Sequence, residues 1–306
     1  MRGWLTLLIG ICCCASVAAK SPPPGTGAAD IPVNVLFMLD TSGSMDNLAG
    51  GAGSAVGGPH RSVEVDSTGR IVLARTYDHV GMRYDSDGNL LDQIGTGFGT
   101  GWSQMRYPVD VAIGPDDAMY FADFSNGRIQ VFNADGTWRK SLTRGSVSVD
   151  FYPESVDVDA SGNVYASYNS RLFKWTPTAT TPQVYTIPDS DRISLYGNNL
   201  YSMKRGSYTI YRFQLSNLAA GSDLSASYGF YYLYDIEANA SGVFANSVYQ
   251  AVYQLNASLG LMNGGAPFYS PSSGNDLIYG LGSDAQGQLY LTGDAGIKGL
   301  DASGNV

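Results

Sequence analysis

Residues Tyr107 to Gly136 read YPVDVAIGPDDAMYFADFSNGRIQVFNADG. Three apolar runs, VDVAI, MYFA and RIQVF, are separated by the turn-forming clusters GPDD and FSNG, and the stretch closes on NADG. Short runs rich in Val, Ile, Tyr and Phe, bounded by Gly, Asp and Asn, are strands joined by tight turns. The stretch is a small antiparallel sheet, and no amphipathic helical period competes with that reading.

The pattern recurs on both sides. Inner-strand candidates are VEV at Val63, VDV at Val109, VDV at Val156, ISL at Ile193, IEA at Ile236 and LGS at Leu281. Second strands begin at Ile71, Met119, Val164, Leu200, Val243 and Leu289, at spacings of 48, 45, 36, 43 and 46 residues. Third strands end on a large apolar residue at Tyr84, Phe132, Trp175, Phe213, Leu255 and Leu300. A sheet this small cannot bury both faces alone, so six copies at this period predict radial stacking into a six-bladed β-propeller, ahead of a β-helix or a sandwich.

The stretch Tyr107 to Gly136 resembles an NHL repeat through its Pro-x-x-Val-x start, its Tyr-x-Ala-Asp segment and its Asn-Gly-Arg-Ile-Gln-Val-Phe end. The likeness extends over 61 to 306 in weakening form. The copies starting at Arg192 and Tyr234 have lost most of the polar signature.

Upstream the chain changes character. Residues 1 to 19 hold Arg2, an apolar run from Trp4 to Val17 and small residues up to Ala19, the pattern of a secretory signal peptide. All three cysteines, Cys12, Cys13 and Cys14, fall inside it, so the expected mature chain has no thiol and no apolar stretch of membrane-spanning length. Residues 20 to 30 (KSPPPGTGAAD) read as an extended linker, and 48 to 60, rich in Gly, as a tether.

Between them, in residues 31 to 47, VNVLFML (Val33 to Leu39) has the continuous hydrophobicity of a strand buried on both faces. It ends on Asp40-Thr41-Ser42-Gly43-Ser44-Met45, which resembles the first metal loop of a von Willebrand factor A-type domain, pattern Asp-x-Ser-x-Ser. One carboxylate and two hydroxyls at a strand end offer hard oxygen ligands, so Asp40, Ser42 and Ser44 are the expected ligands of Mg²⁺ or Ca²⁺. The bland alternative is a polar turn.

The resemblance implies an open metal position for a carboxylate presented by a protein or surface partner. The later loops and β-α units of such a domain are not seen in the sequence. The expected architecture is an all-β NHL-like propeller at 61 to 306, preceded by the first strand and metal loop of an α/β A-type domain. Earlier copies of the last turn, YDSDGNLLDQI and FNADGTWRKSL, run on into a fourth strand, whereas LDASGNV stops at Val306. The expectation is a fragment, with the propeller inserted into an A-type domain whose remainder follows Val306. A degenerate N-terminal strand closing the propeller is the simpler competitor.

Composition narrows function. The chain of 306 residues has a net charge of −9 and no basic run longer than Lys204-Arg205, which disfavours nucleic acid. Only His60 and His79 are available for imidazole chemistry. Glu64, Asp110, Asp157 and Glu237 hold equivalent places on four inner strands, where they either converge on a channel metal or bond to neighbouring blades. Asp85-Ser86-Asp87-Gly88-Asn89 has a trace of a calcium loop but reads as a hairpin turn, and Tyr228 to Tyr234 (YGFYYLY) is the densest aromatic run.

The leading expectation is an exported binding or adhesion protein, secreted, periplasmic or at the cell surface, with a divalent-metal site and a propeller interaction surface. The alternative is a secreted propeller hydrolase or lyase with a divalent metal in its channel. Binding is placed ahead of catalysis because no His or Lys recurs beside the inner carboxylates to act as a base.

Overall fold

The structure is a computed structural model, and it describes residues 62–306 apart from 189–190, 230–231, 248–250, 272–276 and 294–295. The expected signal peptide, linker, A-type strand, metal loop (Asp40, Ser42, Ser44) and tether lie outside the described residues.

Strands follow the repeats. Blade 1 contains β1 (Val63–Val65), β2 (Ile71–Arg75), β3 (Val80–Tyr84) and β4 (Leu90–Ile94). Blade 2 contains β5 (Pro108–Ile113), β6 (Met119–Asp123), β7 (Arg128–Phe132) and β8 (Trp138–Thr143), and blade 3 β9 (Ser155–Val158), β10 (Val164–Tyr168), β11 (Arg171–Trp175) and β12 (Gln183–Thr186). Blade 4 is β13 (Arg192–Tyr196), β14 (Asn199–Met203), β15 (Thr209–Gln214) and β16 (Leu224–Ser227). Blade 5 has β17 (Leu233–Asn239), β18 (Gly242–Ser247) and β19 (Ala251–Leu255); blade 6 has β20 (Ile278–Ser283), β21 (Leu289–Gly293) and β22 (Gly296–Leu300). Each blade is an antiparallel meander in chain order. The molecule is therefore a six-bladed β-propeller.

The second strands show why these sequences pack radially. In β6, Met119 and Phe121 pack with Val72 and Ile94 of blade 1, while Tyr120 and Ala122 pack with Val156 and Phe173 of blade 3. Successive side chains of a strand point to opposite faces. Both faces of β6 are thus buried, which is why MYFA reads as continuously apolar rather than alternating.

The same division recurs at every seam. Tyr165 and Leu172 meet Ile193 and Leu200 between blades 3 and 4. Tyr201 and Met203 meet Ile236 and Val243 between blades 4 and 5, and Phe244 and Val252 meet Leu281 and Leu289 between blades 5 and 6. The ring closes where Tyr290 and Ile297 of blade 6 join Val63, Ile71 and Leu73 of blade 1.

Blades 5 and 6 depart from the four-strand pattern expected from the first copies. Beside β19 runs an irregular segment that touches it through isolated bridges, Val252 to Tyr269 and Leu255 to Leu261. Its sequence, Asn263-Gly264-Gly265-Ala266-Pro267, carries breakers that a fourth strand cannot absorb. Among the described residues no strand pairs with the outer edge of β22.

The end at which each inner strand begins is the upper end, and the end at which it turns into the second strand is the lower end. No helix among the described residues is long and apolar enough to cross a membrane.

Candidate functional site

Inner strands of neighbouring blades diverge around the axis and cannot form a continuous hydrogen-bonded ladder. Short polar side chains bridge them instead. Asp110 on β5 accepts a hydrogen bond from the Val156 N–H on β9 at 2.9 Å. Asp157 on β9 accepts from the Leu195 N–H on β13 at 2.7 Å and from its own neighbour Val158 at 2.6 Å. Ser194 on β13 accepts from the Ala238 N–H on β17 at 2.8 Å, and Asp235 on β17 accepts from the Leu281 N–H on β20 at 2.9 Å. Glu237 accepts from Ser194 Oγ at 3.1 Å and from Ser283 Oγ at 2.5 Å, joining blades 4, 5 and 6.

Three of the four carboxylates singled out in the sequence, Asp110, Asp157 and Glu237, therefore act as clasps between blades. Glu64 is the exception: it is half-buried and lines the lower end of the axis without clasping a neighbouring blade among the described residues. Among the described residues no group of three or more His, Cys, Asp or Glu side chains is placed to hold a metal ion.

Burial among like charges raises Asp157, Glu237 and Glu64. Desolvation pushes Asp157 up to about 7 and Glu237 up to about 8, each raised further by neighbouring carboxylates. Glu64 rises well above the usual carboxylate range, first through burial and then through Glu237, Asp157, Asp110 and Asp235. Ionising several carboxyls close together on the axis is unfavourable, which is the common cause of these shifts.

At the lower end the axis opens into a cavity of about 470 Å³ lined by residues of all six blades. Glu64, Asp157 and Glu237 form its floor, and its walls include Asp117, Asp159 and Asp284 from the first turns of blades 2, 3 and 6. Among the described residues that line it there is no Lys or Arg.

The upper end is built differently, from residues that the sequence reading passed over. Arg192, at the head of β13, is 1% exposed. Its Nε lies 3.2 Å from Asp235 Oδ1, and its Nη1 donates to the Glu154 carbonyl. Burial, followed by a hydrogen-bonded Asp191 carboxyl, raises Glu154 to about 7. The available signals were Arg192 immediately before ISL and Asp235 two places before Glu237, hence on the same strand face.

The upper loops also gather aromatic rings. Among the described residues eight aromatic side chains are exposed, and seven of them (Tyr77, Phe98, Trp102, Tyr107, Tyr152, Tyr208 and Tyr232) stand in upper-end connections. His79 packs between Phe98 and Tyr107, with ring centroids at 4.9 and 4.6 Å, and its Nδ1 accepts from the Tyr107 N–H at 3.1 Å. Tyr77 meets Tyr107 at 6.2 Å, and Arg106 lies over the Phe98 ring. Farther round, Tyr152 packs against Phe124 and Tyr168 beside a groove of about 440 Å³ between blades 2 and 3.

The run Tyr228 to Tyr234 contributes Tyr232 to this surface. Tyr228 instead turns inward, and its hydroxyl donates to the Leu259 carbonyl at 2.6 Å. Asp85 proves to be a turn residue, accepting from the N–H groups of Asp87 and Asn89 at 2.9 and 2.8 Å.

No family model matches the chain, and no curated protein matches it. Its likeness is to solved structures. A streptogramin B lyase structure aligns with a TM-score of 0.56 and 12% identity over 78% of this chain and 77% of that one. A hydrazine synthase of Kuenenia stuttgartiensis aligns with a TM-score of 0.56 and 12% identity over 76% and 73%. A catalytically inactive virginiamycin B lyase from Staphylococcus aureus, solved with Quinupristin, aligns with a TM-score of 0.53 and 14% identity over 76% and 77%. At these identities the shared property is the propeller fold.

Proposed function

We propose that this chain is an exported binding protein whose propeller engages its ligand through the upper end. The observation that carries this reading is the segregation of exposed aromatic side chains: among the described residues, seven of eight stand in upper connections. Exposed rings with a polar or cationic neighbour are the usual contact residues of binding surfaces. The inner carboxylates, by contrast, are largely engaged in holding blades together.

In its fuller form the reading includes adhesion. The loop Asp40, Ser42, Ser44 would bind Mg²⁺ or Ca²⁺ and capture a carboxylate on a protein or surface partner. Support for that part is the sequence match alone. The same holds for the secreted, periplasmic or cell-surface location, which rests on the leader-like residues 1 to 19.

The test is a printed array of oligosaccharides and acidic peptides probed with the full chain and with a Tyr77→Ala, Phe98→Ala, Tyr107→Ala triple variant. The expected result is at least about a tenfold loss of the strongest signals in the variant, since a few aromatic anchors carry most binding energy. Equal signals from both proteins reject the upper surface as the contact. Asp40→Ala is expected to remove any Mg²⁺ dependence of capture while leaving the propeller's melting unchanged.

A second reading, a hydrolase or lyase, is favoured by one observation: the Glu154–Asp191 pair beside Arg192 at the upper end of the axis, with Glu154 raised to about 7. A carboxyl poised there suits general acid or base work. Quinupristin, the ligand in one structural neighbour, is the first compound to try. Its consumption by the chain, lost in Glu154→Gln, would replace the binding reading.

A further inference from the structure

Two connections meet at the upper end through one ring nitrogen. His79 closes the hairpin between β2 and β3, and Tyr107 ends the connection from β4 to β5, directly before Pro108. Both residues hold a backbone conformation that bulky side chains rarely adopt, with φ +63° at His79 and +54° at Tyr107. Such a conformation persists where its surroundings over-determine it. At Tyr107 the surroundings are the His79 ring: Nδ1 accepts the Tyr107 N–H at 3.1 Å, and the two rings stand edge to face at 4.6 Å. Phe98 meets the same imidazole at 4.9 Å, and Tyr77 meets Tyr107 at 6.2 Å.

The bond dictates the state of the imidazole. Nδ1 accepts only while it carries no proton, so His79 is the neutral ring with its hydrogen on Nε2. Protonation converts Nδ1 into a donor, sets it against the Tyr107 N–H and adds a charge among aromatic rings. Burial disfavours that charge, Asp78 on the same hairpin favours it, Arg106 on the connection disfavours it and Asp123 at the end of β6 favours it. Asp78 is ion-paired with Arg75, and Asp123 accepts from the Arg106 N–H at 2.6 Å. The Tyr77 and Tyr107 phenols are the other titratable groups of the cluster. Burial prevails, and His79 is held below the ordinary 6.5.

We propose that His79 is a proton switch for the upper-end surface: while neutral it clasps the Tyr107 N–H and holds Tyr77, Phe98 and Tyr107 together, and on protonation the clasp is lost and the cluster opens. A folded value below the unfolded one makes this contribution complete above 6.5 and lost as pH falls through the lowered value. Release of a ligand in acid surroundings rests on the binding reading above, whereas the switch itself does not.

Imidazole nitrogen resonances and amide exchange of the full chain test the switch, in a His60→Gln background that leaves a single histidine. The expected result is an Nε2–H tautomer at neutral pH with a midpoint below 6.5. The protection factor of the Tyr107 amide is expected to be at least about tenfold lower at about pH 5 than at about pH 7.5, while β10 keeps its protection. His79→Asn puts an amide oxygen in the place of Nδ1, tolerates the left-handed backbone and gains no proton. That variant is expected to stay protected at both pH values, and His79→Ala to lose protection at both. A Tyr107 amide indifferent to pH overturns the switch, as does a response that survives in His79→Asn and so belongs to Asp123. The array of oligosaccharides and acidic peptides, read at the same two pH values, separates the two readings. Signals that fade in acid for the parent but not for His79→Asn support ligand release, whereas an array silent at both rejects the upper surface as the contact and leaves amide exchange to decide the switch.

Discussion

At the scale of single residues, aspartate serves two distinct purposes, and only one was legible in the sequence. In the turns, Asp66, Asp85, Asp159, Asp284 and Asp301 each receive backbone N–H bonds from residues two and four places on. The Gly three places on holds a positive φ, +75° at Gly162 for example. That geometry is local, so the spacing Asp-x-x-Gly announces it. On the axis the partner of Asp157 is Leu195, 38 residues away in another blade. No local pattern encodes such a contact, which is why the clasps could only be placed as one of two alternatives.

The axial acids also set a pH dependence. Asp157 and Glu237 keep their protons up to about 7 and about 8 in the fold, against ordinary values near 4 in the unfolded chain. Folding therefore takes up protons between those limits, and this contribution is complete at low pH and lost as pH rises through 7 to 8. Thermal unfolding at about pH 8 is expected several degrees below that at about pH 5. Asp157→Asn, which keeps an acceptor without an ionisable proton, is expected to flatten the slope. Equal melting at both pH values, or an unchanged slope in the variant, would count against burial as the cause.

At the scale of elements, the polar signature that made Tyr107 to Gly136 resemble an NHL repeat turns out to fasten a loop. Asp123, fully buried, accepts from the Arg106 N–H at 2.6 Å, from Asn126 Nδ2 at 2.8 Å and from Arg128 Nε at 2.8 Å. Arg128 in turn donates to the carbonyls of Thr100, Gly101 and Gln104, and Gln130 donates to those of Trp102 and Gln104. The connection from β4 to β5 is thus pinned by blade 2, which positions Phe98 and Trp102 among the exposed aromatics. Sequence showed the motif but not its object, because the loop it grips begins about thirty residues earlier. Arg128→Ala leaves the Asp123 carboxylate buried with less compensation, at a cost of about 3 kcal/mol. Amide exchange at Gly99 to Gln104 is expected to accelerate at least about tenfold while β10 and β11 keep their protection. Arg128→Lys is expected not to restore it, since an ammonium lacks the guanidinium fork. Unchanged exchange in this loop would show that other contacts hold it.

At the scale of the whole molecule, stability depends on whether the ring shuts. Second-strand starts and third-strand ends were legible to within a residue because each second strand is buried on both faces and each turn carries its own signal, whereas the inner strands β17 and β20 begin three residues before the Ile236 and Leu281 read from sequence. What the pattern could not supply was closure, which joins the two ends of the repeat array through residues that are ordinary in sequence. Gly282 on β20 is the clearest of these. A Cβ built there would stand 1.8 Å from the Val63 carbonyl oxygen, a backbone atom that has no side-chain rotamer to retreat into. Its role is close approach of two inner strands, which no turn signal or left-handed backbone advertises. Gly197, with φ +60° and open space around its missing Cβ, serves as the comparison, since alanine there costs only the backbone strain of about 1 kcal/mol. Gly282→Ala has to push blade 6 away from blade 1 and strain the cluster of Val63, Ile71, Leu73, Tyr290 and Ile297. The expected loss is about 3 kcal/mol, the upper part of the range for overpacking. Amide exchange is expected to rise first in β1 and β20, with β10 and β14 on the far side of the ring affected later. If Gly282→Ala costs no more than Gly197→Ala, the seam between the last and first blades is not where the ring is sealed.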